Sequence, residues 1–116
     1  MTIQELYANL GGNYDDILSR MMKEERILKY IRIFLQDTSF ENLQKNLEIG
    51  NCQEAFQAAH TLKGVCQNMS FDKLYDVSFE ITESLRSENL EQAKEIFPKV
   101  FEIYENVVKS INEFLA

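Results

Sequence analysis

The chain has 116 residues, with 12 basic and 19 acidic side chains and a formal net charge of −7. That balance excludes a nucleic-acid binder, which needs many cations to neutralise phosphates, and no apolar run is long enough to cross a membrane. Hydrophobic residues at 45% and charged residues at 27% fit one globular domain, expected over residues 1–116 with a bundle core at about 26–115.

Four glycines, one proline and no tryptophan favour helices, and period-2 alternation and hairpin turn pairs are both missing. An all-α fold is therefore expected. Cys52 and Cys66 lack metal-type spacing and fit a reducing cytoplasm better than a disulfide framework. Met1 is followed by Thr2-Ile3-Gln4-Glu5, so no secretory leader is expected.

Thr2 and Glu5 form a capping-box pattern that opens a short helix to about Asn9, ended by Gly11-Gly12. Asn13 can cap a second helix, with Asp15 and Asp16 in its first turn. Ile17, Leu18, Met21 and Met22 supply its apolar side, the two methionines as core. Ile27, Leu28, Ile31, Phe34 and Leu35 repeat at helical spacing. Lys23-Glu24-Glu25 leaves open whether these two stretches are one helix or two. Asp15-Asp16 and Glu24-Glu25 read as solvated helix ends. Ile33 lies opposite the Ile31 stripe; it can join the docking surface or be covered by the N-terminal helix, and the second is expected.

Thr38 or Ser39 can cap the next helix, with a stripe of Phe40, Leu43 and Leu47, and Gly50 stands where a left-handed residue ends a helix. Asn51 and Glu54 form another capping pair. Ser70 reads as the N-cap of a helix with Phe71, Leu74, Ser78, Ile81 and Leu85 on one face. Asn89 can cap the last helix. Leu90, Ala93, Phe97, Val100, Tyr104, Val107, Ile111 and Phe114 stay in phase across Pro98, which predicts one long helix kinked there. Short loops make successive helices antiparallel. The sum is an up-and-down antiparallel four-helix bundle with a short extra N-terminal helix.

On the helix opened by Asn51, residues advance by about 100° each. Ala55, Ala58, Ala59, Leu62, Val65, Cys66 and Met69 then fall on one apolar side. His60, the only histidine, points away from it and shares its face with Phe56, Lys63, Gly64 and Gln67. An imidazole is partly neutral at physiological pH, so an exposed one can act as a nucleophile toward a group on another protein. Lys63, one turn on, can meet phosphoryl oxygens. Gly64 removes a side chain beside the ring, at a helix cost of about 1 kcal/mol against alanine. Phe56 gains from being covered by a partner. Each residue also has a plainer reading: a solvated charge for Lys63, a packing glycine for Gly64, a rim residue for Phe56, a neutral surface residue for Gln67.

Ala59-His60-Thr61-Leu62-Lys63-Gly64 resembles the signature of histidine phosphotransfer domains: Ala-His, any residue, Leu, Lys, Gly. Phe34 to Asp37 is similar to the Phe-Leu-x-Asp ending of an early helix in that family, and Met69 and Leu74 match apolar positions after the signature. The resemblance implies a phosphorelay intermediate. His60 accepts a phosphoryl group from a receiver-domain aspartate, Lys63 stabilises it, Gly64 gives the partner access, and Phe56 and Gln67 bind the partner. It also implies response-regulator receivers as partners, with a hybrid or separate histidine kinase upstream. Mg²⁺ is expected on the receiver, with no cofactor or metal on this chain. No Gly-rich phosphate loop is present, so no ATP-dependent kinase activity is expected. A cytoplasmic monomer, with no membrane or nucleic-acid partner, completes the expectation.

Three positions depart from the family pattern: Ser70 stands where a glycine is usual, Gln67 where a small residue is common, and Ile81-Thr82 where Leu-Glu is frequent. Gln67 can hydrogen-bond the imidazole or crowd the docking face. Two other functions use the same residues. One is a non-catalytic docking adaptor for receivers. The other is the phosphoacceptor module of a multi-protein histidine kinase system.

Overall fold

Side-chain caps set the first boundaries in a computed structural model that describes residues 1–116. Thr2 Oγ1 accepts the Glu5 N–H at 3.0 Å, and the Glu5 carboxylate accepts the Thr2 N–H at 2.9 Å. This box opens α1 (Ile3–Leu10), and Gly11 closes it at φ 76°, a left-handed conformation suited to glycine. Asn13 Oδ1 accepts the Asp16 N–H at 3.0 Å and opens α2 (Tyr14–Met21). Met22, at φ 71°, separates α2 from α3 (Glu24–Phe34), so the two apolar stretches are distinct helices.

Further along lie α4 (Ser39–Glu48), α5 (Cys52–Met69), α6 (Asp72–Arg86) and α7 (Leu90–Leu115). The Asn51 and Asn89 side chains each accept an N–H three residues on, at 3.1 Å, and cap α5 and α7. Gly50, at φ 75°, makes the turn after α4. α7 runs unbroken through Pro98, as the phase of its stripe requires.

Helices α4 to α7 form the up-and-down bundle. α5 lies between α4 and α6, α6 packs on α7, and α7 closes the ring on α4. Leu43, Ala55, Ala59, Leu62, Leu74, Ile81, Val100 and Val107 are fully buried among them. Each large aliphatic side chain among these contributes roughly 1.5–3 kcal/mol by leaving water. The first three helices gather at the end where α5 turns into α6. There the Tyr7 hydroxyl donates to the Met69 carbonyl at 2.9 Å, the Asn13 N–H to the Ser70 carbonyl at 2.8 Å, and the Lys73 N–H to the Gly11 carbonyl at 3.0 Å. No helix is long and apolar enough to cross a membrane.

Five sequence expectations are corrected. Ser70 is not the N-cap of α6. It ends α5 in the left-handed conformation, at φ 56°, and Phe71 precedes α6 with no side-chain cap. A helix end and a helix start share these two residues, and the tight turn between them fixes the roles. Neither Thr38 nor Ser39 caps α4 through its side chain. The Asp37 carboxylate accepts the Ser39 N–H instead, at 2.9 Å. Glu54 does not return a bond to Asn51, so that cap is one-sided. Met22 is 75% exposed because its left-handed backbone turns it off the α2 face, and only Met21 reaches the core. Ile33 is 49% exposed, because the N-terminal helices pack around the α5–α6 turn and leave its side of α3 uncovered.

Candidate functional site

α5 has one buried and one open side. Ala55, Ala58, Ala59, Leu62, Cys66 and Met69 are buried and Val65 is half-buried, as the 100° arithmetic predicts. His60, near the middle of the helix, is exposed on the other side. Phe56, Lys63 and Gly64 are half-buried around it, and Gln67 is exposed. All five predicted residues therefore share one face.

The contacts within this face are aromatic and cationic. The Phe56 ring stacks on the His60 imidazole, with centroids 5.9 Å apart and planes 20° apart. Two residues of α6 that sequence reasoning missed complete the surroundings. The Arg86 guanidinium lies 5.0 Å from the Phe56 centroid and is held by Glu83 at 2.7 Å. The Lys63 ammonium lies 5.5 Å from the centroid of Phe79, a ring 44% exposed. One signal for Phe79 was present: it is an aromatic residue one position out of phase with the α6 stripe. Gln67 makes no side-chain hydrogen bond to the imidazole; its backbone carbonyl accepts from Arg20 at 3.3 Å. An added Cβ at Gly64 would have no heavy atom within 4 Å, so this glycine leaves open space rather than a packed contact.

The end of α5 is pinned from outside the bundle. The Ser70 hydroxyl donates to Asp16 Oδ2 at 2.6 Å and accepts from Arg20, which also meets Asp16 at 3.4 Å. Left-handed backbone is costly for serine and free for glycine. The family's usual glycine at this position is thus understandable, and here the hydroxyl's two partners offset the cost.

Two grooves flank the α5 face without including His60. One, of about 380 Å³, lies among α2, α3 and α5 and is lined by Arg20, Tyr30, Ile33, Val65 and Met69 among others. The other, polar and of about 490 Å³, runs between α4 and α5 past Asn42, Asn46, Gln57 and Thr61. Cys66 is buried, and burial pushes its thiol up to about 12, so it stays protonated. It lies on the core side, away from His60.

An antiparallel helical bundle that presents one exposed imidazole, with a lysine one turn on, defines a histidine-bearing helical module. The family model for the Hpt domain matches residues 29–112, and the chain belongs to that family. Its members are histidine-containing phosphotransfer modules of two-component phosphorelays, working with receiver domains and kinases. The match starts within α3 and ends within α7, leaving α1 and α2 outside it. No curated protein and no solved structure gives a match.

Proposed function

We propose that this chain is a phosphorelay intermediate in which His60 accepts a phosphoryl group from a receiver aspartate and passes it to a second receiver. The observation that carries the reading is the placement of the only histidine on the open side of α5, with Lys63 and Gly64 one turn away. An unprotonated ring nitrogen forms the P–N bond as the P–O bond to the aspartyl carboxylate breaks. The carboxylate leaves with the electron pair. The ring keeps its other proton or loses it to solvent. Lys63 supplies N–H donors for the phosphoryl oxygens, and the open space at Gly64 admits the receiver's backbone. Phe56 gives the partner an apolar ring to cover, and Gln67 a polar edge.

Mg²⁺ belongs to the receiver's acidic pocket in this reading, and the chain acts as a monomeric cytoplasmic carrier with no kinase activity of its own. A transfer assay across phosphorylated receiver domains tests it. Acid-labile, base-stable phosphate should appear on His60 and be absent in His60→Gln. Undiminished labelling of His60→Gln overturns the assignment. Receiver binding without any phosphohistidine would replace it with the docking-adaptor reading.

A further inference from the structure

Two cation–aromatic contacts cross from α5 to α6 and flank His60. Arg86 over Phe56 lies one turn before it, and Lys63 over Phe79 one turn after. The first cation is also paired with Glu83, whereas Lys63 takes part in neither of the chain's two ion pairs, Arg20–Asp16 and Arg86–Glu83. Phe79 is 44% exposed and lies off the buried stripe of α6, so core packing does not account for an aromatic residue there. A free lysine samples many rotamers and loses that freedom when it engages a ligand. The face of a ring attracts the ammonium through its quadrupole, limiting the rotamers without neutralising the charge as a carboxylate would.

We propose that Phe79 is a positioning residue for phosphoryl transfer at His60, acting by holding the Lys63 ammonium one helical turn from the imidazole. This rests on the reading of His60 as phosphoryl acceptor. Phe79 touches no reacting atom. The P–N bond forms and the P–O bond breaks as described above, and Lys63 alone meets the phosphoryl oxygens.

The test uses the full chain and phosphoramidate, a small donor of the same phosphoryl group that needs no docking surface. Ammonia is then the leaving group, and any effect of Phe79 on receiver contact drops out. Phe79→Leu should slow phosphohistidine formation about two- to fivefold, the factor that corresponds to an exposed cation–π contact of about 0.5–1 kcal/mol. Phe79→Tyr should restore the rate. In a Lys63→Ala background, Phe79→Leu should change nothing. Independently of any phosphate, the Lys63 ε-methylene protons should show an upfield ring-current shift in the unaltered protein and lose it in Phe79→Leu.

Equal rates for the unaltered protein and Phe79→Leu overturn the proposal. So does equal slowing with and without Lys63, or an unshifted Lys63 in the unaltered protein. Failure of the underlying reading looks different: the ring-current shift is present, but no receiver delivers phosphate to His60. That outcome sinks both.

Discussion

The Phe56 ring lies within 20° of parallel to the His60 imidazole, with the centroids 5.9 Å apart. The two residues are one turn apart on α5, so the offset stack is built by the helix itself, and the imidazole beside it is exposed. No hydrogen bond in the structure orients the His60 ring, which leaves this stack as its side-chain constraint. Aromatic pairs of this geometry contribute about 0.5–1.5 kcal/mol beyond area burial. Phe56→Ala should therefore slow transfer from a receiver to His60 by about two- to tenfold. Rapid-quench single-turnover labelling measures this. Transfer as fast as in the unaltered protein removes Phe56 from the site.

Gly64→Ala should separate stability from transfer. A Cβ at Gly64 meets no heavy atom within 4 Å, and the residue lies inside the helical span Cys52–Met69. Alanine there should raise unfolding stability by about 1 kcal/mol, the ordinary helix difference between the two residues. If Gly64 serves access for the receiver's backbone, the same variant should transfer more slowly from a receiver while phosphoramidate labels it at an unchanged rate. Urea unfolding and the two labelling assays together decide it. A variant that is stabilised and transfers normally identifies Gly64 as tolerated rather than used.

The readable parts of this chain were those set by neighbours in sequence. Thr2, Asn13, Asn51 and Asn89 each cap through an N–H three residues away, and the core stripe of α5 follows from helical period alone. The parts that escaped depend on residues far apart. Ser70 looks like an N-cap by type, but its partner Asp16 lies 54 residues away on α2. Its backbone conformation follows from the turn that α5 and α6 must make. Phe79 and Arg86 belong to the His60 face only because the antiparallel register sets them opposite Lys63 and Phe56. Nothing local to α6 states that register. Met22 and Ile33 were misplaced for a related reason: periodicity says which residues share a face, not which neighbour covers it.

The Asp16–Ser70–Arg20 cluster should make stability depend on acid. The Ser70 hydrogen bond, more than any other effect, holds the Asp16 carboxyl below the usual carboxylate range; desolvation opposes it and Arg20 adds to it. A carboxyl whose folded value is depressed contributes stability above its unfolded value, and that contribution fades as pH falls through the folded value. Asp16→Asn should therefore be less stable than the unaltered protein near neutrality, and the gap should close in strong acid, below the ordinary carboxylate range. Urea midpoints across an acid series measure this. A gap that stays constant with pH would assign the effect to shape rather than charge.

Ser78 offers the opposite case, a polar group whose removal should help. It is fully buried in the α6 stripe, and its hydroxyl oxygen has no hydrogen-bond partner. The Cys66 sulfur beside it is a weak acceptor: burial pushes the thiol's pKa up, contact with the hydroxyl lowers it by less, and that contact falls short of a full hydrogen bond. An unsatisfied buried hydroxyl costs about 1–3 kcal/mol, and alanine is also the better helix former. The small gap left by one oxygen offsets part of that gain. Ser78→Ala should stabilise the chain by about 1 kcal/mol, raising the melting temperature by roughly 4–6 °C for a domain of this size. A loss of similar size would mean that the thiol contact satisfies the hydroxyl after all. In that case Cys66→Ala should cost more in the unaltered protein than in the Ser78→Ala background, which a double-mutant cycle resolves.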